Sequence, residues 1–219
     1  MRYLESVKNK LSWEKYYDPG FDWSDWLFYL KHYLTEEFIE EFKDKLNWFH
    51  LLTYQRVNEA CLEKYISYID WAAATAHQEL SEKFMDKYAD YITKHLCWNI
   101  ISTRQKLSED FIKKYKNNVD WLLICKYQCL SEDFISKHTG KVNWNNVSRY
   151  QTLSENFIKK YMKRLNIFEI LVHNELTDIP KEKLSENFTK ALFKKLDPIQ
   201  IEKVEEVIGH YKMQADGSQ

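Results

Sequence analysis

Hydrophobic and polar positions recur along this 219-residue chain with a period of 23 residues. The clearest case runs from Leu107 to Thr152, where LSEDFIKKYKNNVDWLLICKYQC is followed directly by LSEDFISKHTGKVNWNNVSRYQT. With the first leucine as position 1, weaker copies can be found on both sides of this stretch. The copies begin at Leu34, Val57, Leu80, Leu107, Leu130 and Leu153. A fixed period of this length is typical of stacked small units, each of which buries its apolar face against its neighbours.

The first half of each copy predicts a short helix with a sharply defined start. Position 2 is Ser or Thr in most copies and is followed by acids, as at Ser108 and Glu109. This order is typical of a helix N-cap with negative charge at the positive end of the helix dipole. Phe111 and Tyr115, at positions 5 and 9, are spaced to share one buried face of that helix.

The second half of each copy predicts another helix. Position 14 is Asp or Asn in most copies, as at Asp120, and predicts a second N-cap. The Trp at position 15 shares one helical face with positions 18, 19 and 22, so it is predicted to anchor neighbouring repeats to each other. Position 22 on that face is a glutamine that must find partners when buried, and we expect it to bond a helix end or a loop. The position-22 glutamines are Gln55, Gln78, Gln105, Gln128 and Gln151.

The pattern therefore predicts an all-α fold, specifically an α-solenoid of short helix-pair repeats with degenerate terminal caps. Residues 34–175 form six tandem repeats, preceded by a helical cap or degenerate repeat at 1–33. Residues 176–211 form a degenerate repeat and a capping helix opened by Asp197 and Pro198, and 212–219 form a flexible tail. Four Gly and three Pro in the whole chain leave few turn residues for an all-β fold.

One copy is longer than the others. The repeat that begins at Leu80 contains four extra residues between Tyr88 and Trp98. Four residues make about one helical turn, so the insertion is predicted to lengthen a helix without rotating its buried face.

The consensus LSEDFIxKYxxxVDWxxIxxYQ resembles short tandem repeats found in proteins of bacteriophages and large DNA viruses. The resemblance covers approximately residues 34–175. It implies a phage or viral origin, a place in the host cell cytoplasm and a role in contacting host components. The functional hypothesis is a non-enzymatic scaffold that binds a host protein and inhibits a host-defence component by covering its surface.

The histidines and cysteines of the repeats are candidates for catalytic or metal-binding roles, but packing accounts for their positions. His77 and His173 occupy the position that holds Tyr54, and Cys125 replaces a small Ser-like residue, which predicts a core thiol. The chain has no HExxH motif, no CxxC pair and no glycine-rich phosphate loop. We therefore expect no enzymatic activity, no metal and no cofactor. The N-terminal segment lacks a signal-peptide core and no stretch has the ~20 apolar residues of a membrane span, so we expect a cytoplasmic protein without membrane contact.

Positions 16, 17 and 20 of the second helix point away from the predicted core and supply candidate partner-binding residues. Several are apolar or aromatic where a solvated face would be charged. An alternative is that these side chains pack against the next unit. The candidates are Phe49, His50, Lys126, Asn145, Asn146 and Arg149.

The later first helices carry a second candidate surface, named here the basic ridge, which consists of Lys113, Lys114, Lys137, Lys159 and Lys160. Residues 107–166 contain 11 basic and 6 acidic side chains, a balance of +5. Such a ridge can receive an acidic protein surface or a nucleic-acid backbone, or it can be an ordinary solvated face. Binding of small charged ligands such as nucleotides in a groove between repeats is a third functional alternative.

Overall fold

The computed structural model describes residues 34–176 and 186–206, and all regular structure in these ranges is helical. The predicted cap at 1–33 and the predicted tail at 212–219 lie outside the described residues, as does part of the predicted C-terminal repeat. The all-α, helix-pair architecture expected from the repeat is confirmed. In chain order the helices are α1 (Glu36–Phe42), α2 (Trp48–Tyr54), α3 (Glu59–Lys64), α4 (Trp71–His77), α5 (Glu82–Lys87), α6 (Ala89–Lys94), α7 (Trp98–Arg104), α8 (Glu109–Lys114), α9 (Trp121–Tyr127), α10 (Glu132–Lys137), α11 (Trp144–Tyr150), α12 (Glu155–Tyr161), α13 (Ile167–Leu176), α14 (Glu186–Phe193) and α15 (198–206).

The described helices fall into two compact units that divide between Cys97 and Trp98. Unit 1 contains α1 to α6, and unit 2 contains α7 to α15. Within each unit the second helices of successive repeats pack directly on one another: α2 on α4 in unit 1, and α7, α9, α11 and α13 in sequence in unit 2. Each unit is therefore a solenoid-type stack of helix pairs.

The helices begin at the capping residues that the sequence predicts. Ser108 Oγ accepts a hydrogen bond from the Phe111 amide at 3.2 Å, which caps a first helix. Asn143 Oδ1 accepts from the Asn146 amide at 2.9 Å, which caps a second helix. These bonds satisfy amides that an isolated helix end would leave without partners, so the N-cap interpretation of positions 2 and 14 is confirmed.

The position-15 tryptophans join neighbouring repeats, as predicted. Trp71 is buried, and its ring lies 6.3, 5.7 and 5.5 Å from the rings of Phe84, Tyr88 and Tyr91 in the next repeat. Trp121 makes the equivalent contact with the smaller ring of His138, at 5.3 Å, and is only half-buried. The depth of this anchor therefore differs between repeats.

Buried glutamines connect successive repeats within each unit, and Gln128 is representative. Its Nε2 donates to the carbonyl oxygens of Ser102 and Gln105, at 3.0 and 2.9 Å, near the end of the preceding second helix. Its Oε1 accepts from the Leu107 amide at 3.0 Å. Gln78 and Gln151 make the same set of three bonds in their own positions. The expectation that this buried amide bonds a helix end is confirmed.

Position 19 supplies another buried link, from the end of one repeat to the second N-cap of the next. Ser148 Oγ accepts from the Asn166 amide at 2.9 Å. Cys125 Sγ takes the same place and accepts from the Asn143 amide at 3.4 Å. Burial raises the pKa of the Cys125 thiol to about 11, which is consistent with the predicted core thiol.

The first-turn glutamates do more than complement the helix dipole, which was their predicted role. Glu132 Oε1 accepts from the Ser154 amide at 2.5 Å, and its Oε2 accepts from Ser154 Oγ at 3.0 Å. Glu109 binds Ser131 in the same way, and Glu59 binds Ser81. Each glutamate thus holds the N-cap serine of the following repeat, where its charge strengthens both hydrogen bonds.

The four-residue insertion does not simply lengthen a helix. The backbone of Tyr88 leaves helical geometry, with φ −111° and ψ 23°, and a separate helix, α6, follows at once. Leu96 then adopts φ 56°, a left-handed conformation that is unfavourable for a leucine, and the Cys97 amide donates to the Ile92 carbonyl. This turn returns the chain to the repeat register at Trp98.

The last described helix, α15, opens as the sequence predicts. Pro198 is its first residue, and Asp197 Oδ1 accepts from the Gln200 amide at 2.8 Å. Gln200 Oε1 accepts in return from the Asp197 amide at 3.2 Å, which completes a reciprocal capping box. Leu192 and Val204 are fully buried, so α14 and α15 contribute to the core of unit 2.

Candidate functional site

The second helices of unit 2 present a surface that combines aliphatic, aromatic and basic side chains. We call it the second-helix face and define it as Leu122, Lys126, Tyr127, Asn145, Arg149 and Tyr150, from α9 and α11. Leu122 is 51% exposed and Tyr127 is 47% exposed. Because α9 and α11 pack directly on each other, side chains at equivalent positions lie in adjacent rows.

Cations and tyrosine rings are interleaved on this face. Lys126 Nζ lies 4.8 Å from the ring centroid of Tyr127 and 5.6 Å from that of Tyr150. The guanidinium carbon of Arg149 lies 5.5 Å from the Tyr150 ring centroid. Arg149 Nε is also 3.7 Å from a carboxylate oxygen of Glu169 in the next repeat. These contacts order long side chains that would otherwise sample many rotamers, which lowers the entropic cost of binding a partner.

The candidates at positions 16, 17 and 20 do not share one environment. Asn145, at position 16, is exposed, whereas Asn146, at position 17, is half-buried and donates from Nδ2 to the Leu122 carbonyl at 2.8 Å. Val172, at position 20 of its repeat, is buried. Position 17 therefore belongs partly to the contact between repeats, as the packing alternative expects, and position 16 is the outward one.

Unit 1 places its two aromatic candidates side by side on α2. Phe49 is 47% exposed, and its ring centroid lies 5.5 Å from that of His50. His50 is half-buried, and its Nδ1 is buried without a hydrogen-bond partner among the described residues. Tyr54 is exposed next to it, with ring centroids 6.0 Å apart. These three rings form a small exposed aromatic group within unit 1.

The tyrosines at position 21 are surface residues that the sequence interpretation did not include. Tyr54 and Tyr127 are nearly half exposed, and Tyr150 is half-buried. The recurrence of tyrosine at this position predicts a packing site. The helix period indicates an exposed position instead, because position 21 lies outside the buried stripe of positions 15, 18, 19 and 22.

The five residues of the basic ridge are all exposed on α8, α10 and α12 of unit 2. Lys137 pairs with Asp133 at 2.6 Å, and Lys159 pairs with Glu155 at 3.5 Å, both within one helix. Lys114 and Lys160 lie over the rings of Tyr115 and Tyr161. The structure thus gathers the ridge onto successive first helices, separate from the second helices that carry the second-helix face.

Within the described part of the chain, no group of three or more His, Cys, Asp or Glu side chains is placed to hold a metal ion. The described helices are also all too short or too polar to cross a lipid bilayer. Of the four cysteines, Cys61, Cys97 and Cys125 are buried and Cys129 is exposed, and all are free thiols.

Comparison with known proteins identifies no relative: the chain matches no protein-family model, no curated protein and no solved structure.

Proposed function

We propose that this protein is a non-enzymatic repeat scaffold that binds a protein partner through the second-helix face. The observation that carries the proposal is the interleaved row of Lys126, Tyr127, Arg149 and Tyr150 beside the exposed Leu122. Tyrosine and arginine are the residue types that most often contribute large binding energies at protein interfaces. An exposed leucine at the same place supplies apolar area that a partner can bury.

The chemistry of the face favours a partner with carboxylates around an apolar centre. Lys126 and Arg149 are the charged members of the face and both are positive. Lys126 is held between two tyrosine rings, which keeps its ammonium group close to the apolar area rather than extended into solvent. An acidic group on the partner would pair with these cations, and its apolar side chains would cover Leu122 and the tyrosines.

The resemblance to phage and viral repeats extends the proposal. It supports a phage or viral protein that acts in the host cytoplasm and inhibits a host-defence component by covering its surface. A stack of short repeats suits that role because the residues that build the stack differ from those that face outward. The outward residues can change without loss of the fold.

We expect Arg149→Glu to reduce partner binding at least tenfold, because it places a negative charge at the centre of the cationic row. The measurement is affinity capture from host extract with mass spectrometry, followed by binding titration with the purified partner. Lys106→Glu is the matched control, since Lys106 lies in the same unit, is exposed and is outside the face. Circular dichroism establishes that both variants are folded.

The proposal fails if the wild-type protein captures no partner reproducibly. It also fails if Arg149→Glu and Lys106→Glu bind the captured partner as tightly as the wild type does, because the face would then have no part in binding.

A further inference from the structure

The second helices of unit 1 present an outward face without charged side chains. The helices α2 and α4 pack directly on each other, and neither contains Asp, Glu, Lys or Arg. The equivalent helices α9 and α11 of unit 2 each carry a cation at position 20, namely Lys126 and Arg149. The repeat therefore does not impose an uncharged outer face. Charge depletion next to exposed aromatic rings is typical of a surface that a protein partner covers.

Large and small side chains are divided between these two helices. On α2, Phe49 at position 16 is 47% exposed and Tyr54 at position 21 is 46% exposed, with the ring of His50 between them. On α4, position 16 is Ala72, which is exposed, and position 20 is Ala76, which is half-buried. We call these five residues the unit 1 face. It consists of a row of rings next to a row of alanines.

This division makes the unit 1 face complementary in shape to a second copy of itself. The two helices end at the same level, because Gln78 Nε2, at the end of α4, donates to the Gln55 carbonyl, at the end of α2, at 2.8 Å. A two-fold axis parallel to the helices therefore places α2 of each copy over α4 of the other. Phe49 of one copy then lies over Ala72 of the other, since both hold position 16. A symmetric dimer requires a patch that fits itself in this way.

The charges at the ends of the two helices are complementary in the same arrangement. Arg56 follows the C-cap of α2, and Glu79 follows the C-cap of α4. Their side chains are 73% and 85% exposed and form an ion pair at 3.1 Å. The parallel two-fold axis brings Arg56 of each copy opposite Glu79 of the other, so the four groups alternate in sign. An axis perpendicular to the helices would instead place α2 on α2 and these charges at opposite ends. Charge complementarity therefore favours the pairing of α2 with α4.

We propose that the unit 1 face is a self-association surface, through which two copies of this chain form a symmetric dimer. This is a second binding activity, on different helices from the second-helix face. Each copy contributes two helices of seven residues, which is less than a standard protein interface provides. The dimer is therefore weak, with a Kd of about 10–100 µM. A dimer carries two second-helix faces, which raises the avidity for a partner that offers two sites.

The test is sedimentation equilibrium of the purified protein from about 5 to about 300 µM. The average mass of the wild type should rise over this range from that of one chain toward that of two. Phe49→Glu should weaken the association at least about tenfold, because it places a carboxylate against the alanine row. Ile199→Glu is the matched control, since Ile199 is 65% exposed, lies in unit 2 and undergoes the same change of charge. Circular dichroism establishes that both variants are folded.

An exchange of side chains between the two helices tests the pairing itself. Ala72→Phe enlarges the apolar area of the face, but it should weaken the dimer at least about tenfold, because a ring then meets a ring. Combining Ala72→Phe with Phe49→Ala moves the ring from α2 to α4 and restores the match. The double variant should associate within about threefold of the wild type, which is the coupling expected of residues in contact.

Three results overturn the proposal. The first is a wild-type protein that remains a single chain at about 300 µM, which would assign the unit 1 face to a different protein. The second is an equal loss of association in Phe49→Glu and Ile199→Glu, which would mean that only net charge matters. The third is stronger association of Ala72→Phe, which would show unspecific apolar contact instead of paired rings and alanines. All three are measured on the purified chain alone, so none of them bears on the second-helix face, which is tested with its own variant.

Discussion

Replacing Trp71 with alanine is expected to lower the free energy of unfolding by about 3–5 kcal/mol. The indole is buried, and it contacts three aromatic rings of the next repeat, so truncation leaves a cavity between two repeats. Short helices of six or seven residues are not stable alone in water, and their stability depends on these contacts. A cavity at a repeat boundary therefore weakens both repeats that meet there.

Trp121→Ala is the comparison variant, because it tests whether the loss of stability depends on how deeply the indole is buried. Trp121 holds the same repeat position but is half-buried against Phe134 and His138. Its replacement should cost about 2 kcal/mol, since less apolar area returns to water. Urea denaturation followed by far-UV circular dichroism measures both variants without relying on tryptophan fluorescence. An equal or smaller loss in Trp71→Ala would mean that the burial of the indole does not set the strength of the anchor.

Gln128→Leu is expected to lower the free energy of unfolding by about 3 kcal/mol or more, although leucine fits an apolar site. The substitution removes one acceptor and two donor contacts at once, and it leaves the Leu107 amide and the carbonyls of Ser102 and Gln105 without their side-chain partner. Each buried polar group left in this way costs about 1–3 kcal/mol, and part of the total is recovered by local rearrangement.

Cys129→Ala is the control for this variant. Cys129 is the next residue along the chain and is exposed, so its replacement should change stability by less than about 0.5 kcal/mol. Urea denaturation gives the difference between the two variants. If Gln128→Leu were as stable as the wild type, the glutamine would be a replaceable core residue and not a connection between repeats.

Contacts within one repeat could be predicted from the sequence because they follow from helix geometry. The N-caps at Ser108 and Asn143, the buried Phe111 and the buried Gln128 all lie where the 23-residue pattern puts them. Capping and amphipathic spacing involve residues three or four apart, which a single sequence displays directly.

Contacts between repeats were much harder to predict. The bonds from Glu132 to Ser154 and from Glu40 to Lys64 join residues 22 and 24 apart, and they depend on how one helix pair is rotated on the next. Periodicity shows that repeats are equivalent but contains no information on that rotation. The same limit explains why the outward position of Tyr127 and the separate helix after Tyr88 were not foreseen.

The candidate sites could be predicted only in part, because some of their features follow from the geometry of one helix and others depend on contacts between repeats. The outward direction of position 16 follows from the buried stripe, and Leu122 and Asn145 are exposed as expected. The cation and tyrosine contacts of Lys126 and Arg149 depend on adjacent repeats, so only the structure could reveal them. The periodic spacing of the repeats shows which residues build the stack. It carries no information about the identity of a partner.

Hydrogen exchange at the Leu107 and Leu130 amides tests most directly whether buried glutamines hold the chain at the boundaries between repeats. Both amides lie outside helices, and each donates to the side chain of a glutamine 21 residues later. We expect them to exchange as slowly as the helical amide of Ile124, because the bonds of both classes are buried and break only when the repeat itself opens. Exchange at the rate of an unstructured chain, with Ile124 still protected, would contradict the connection.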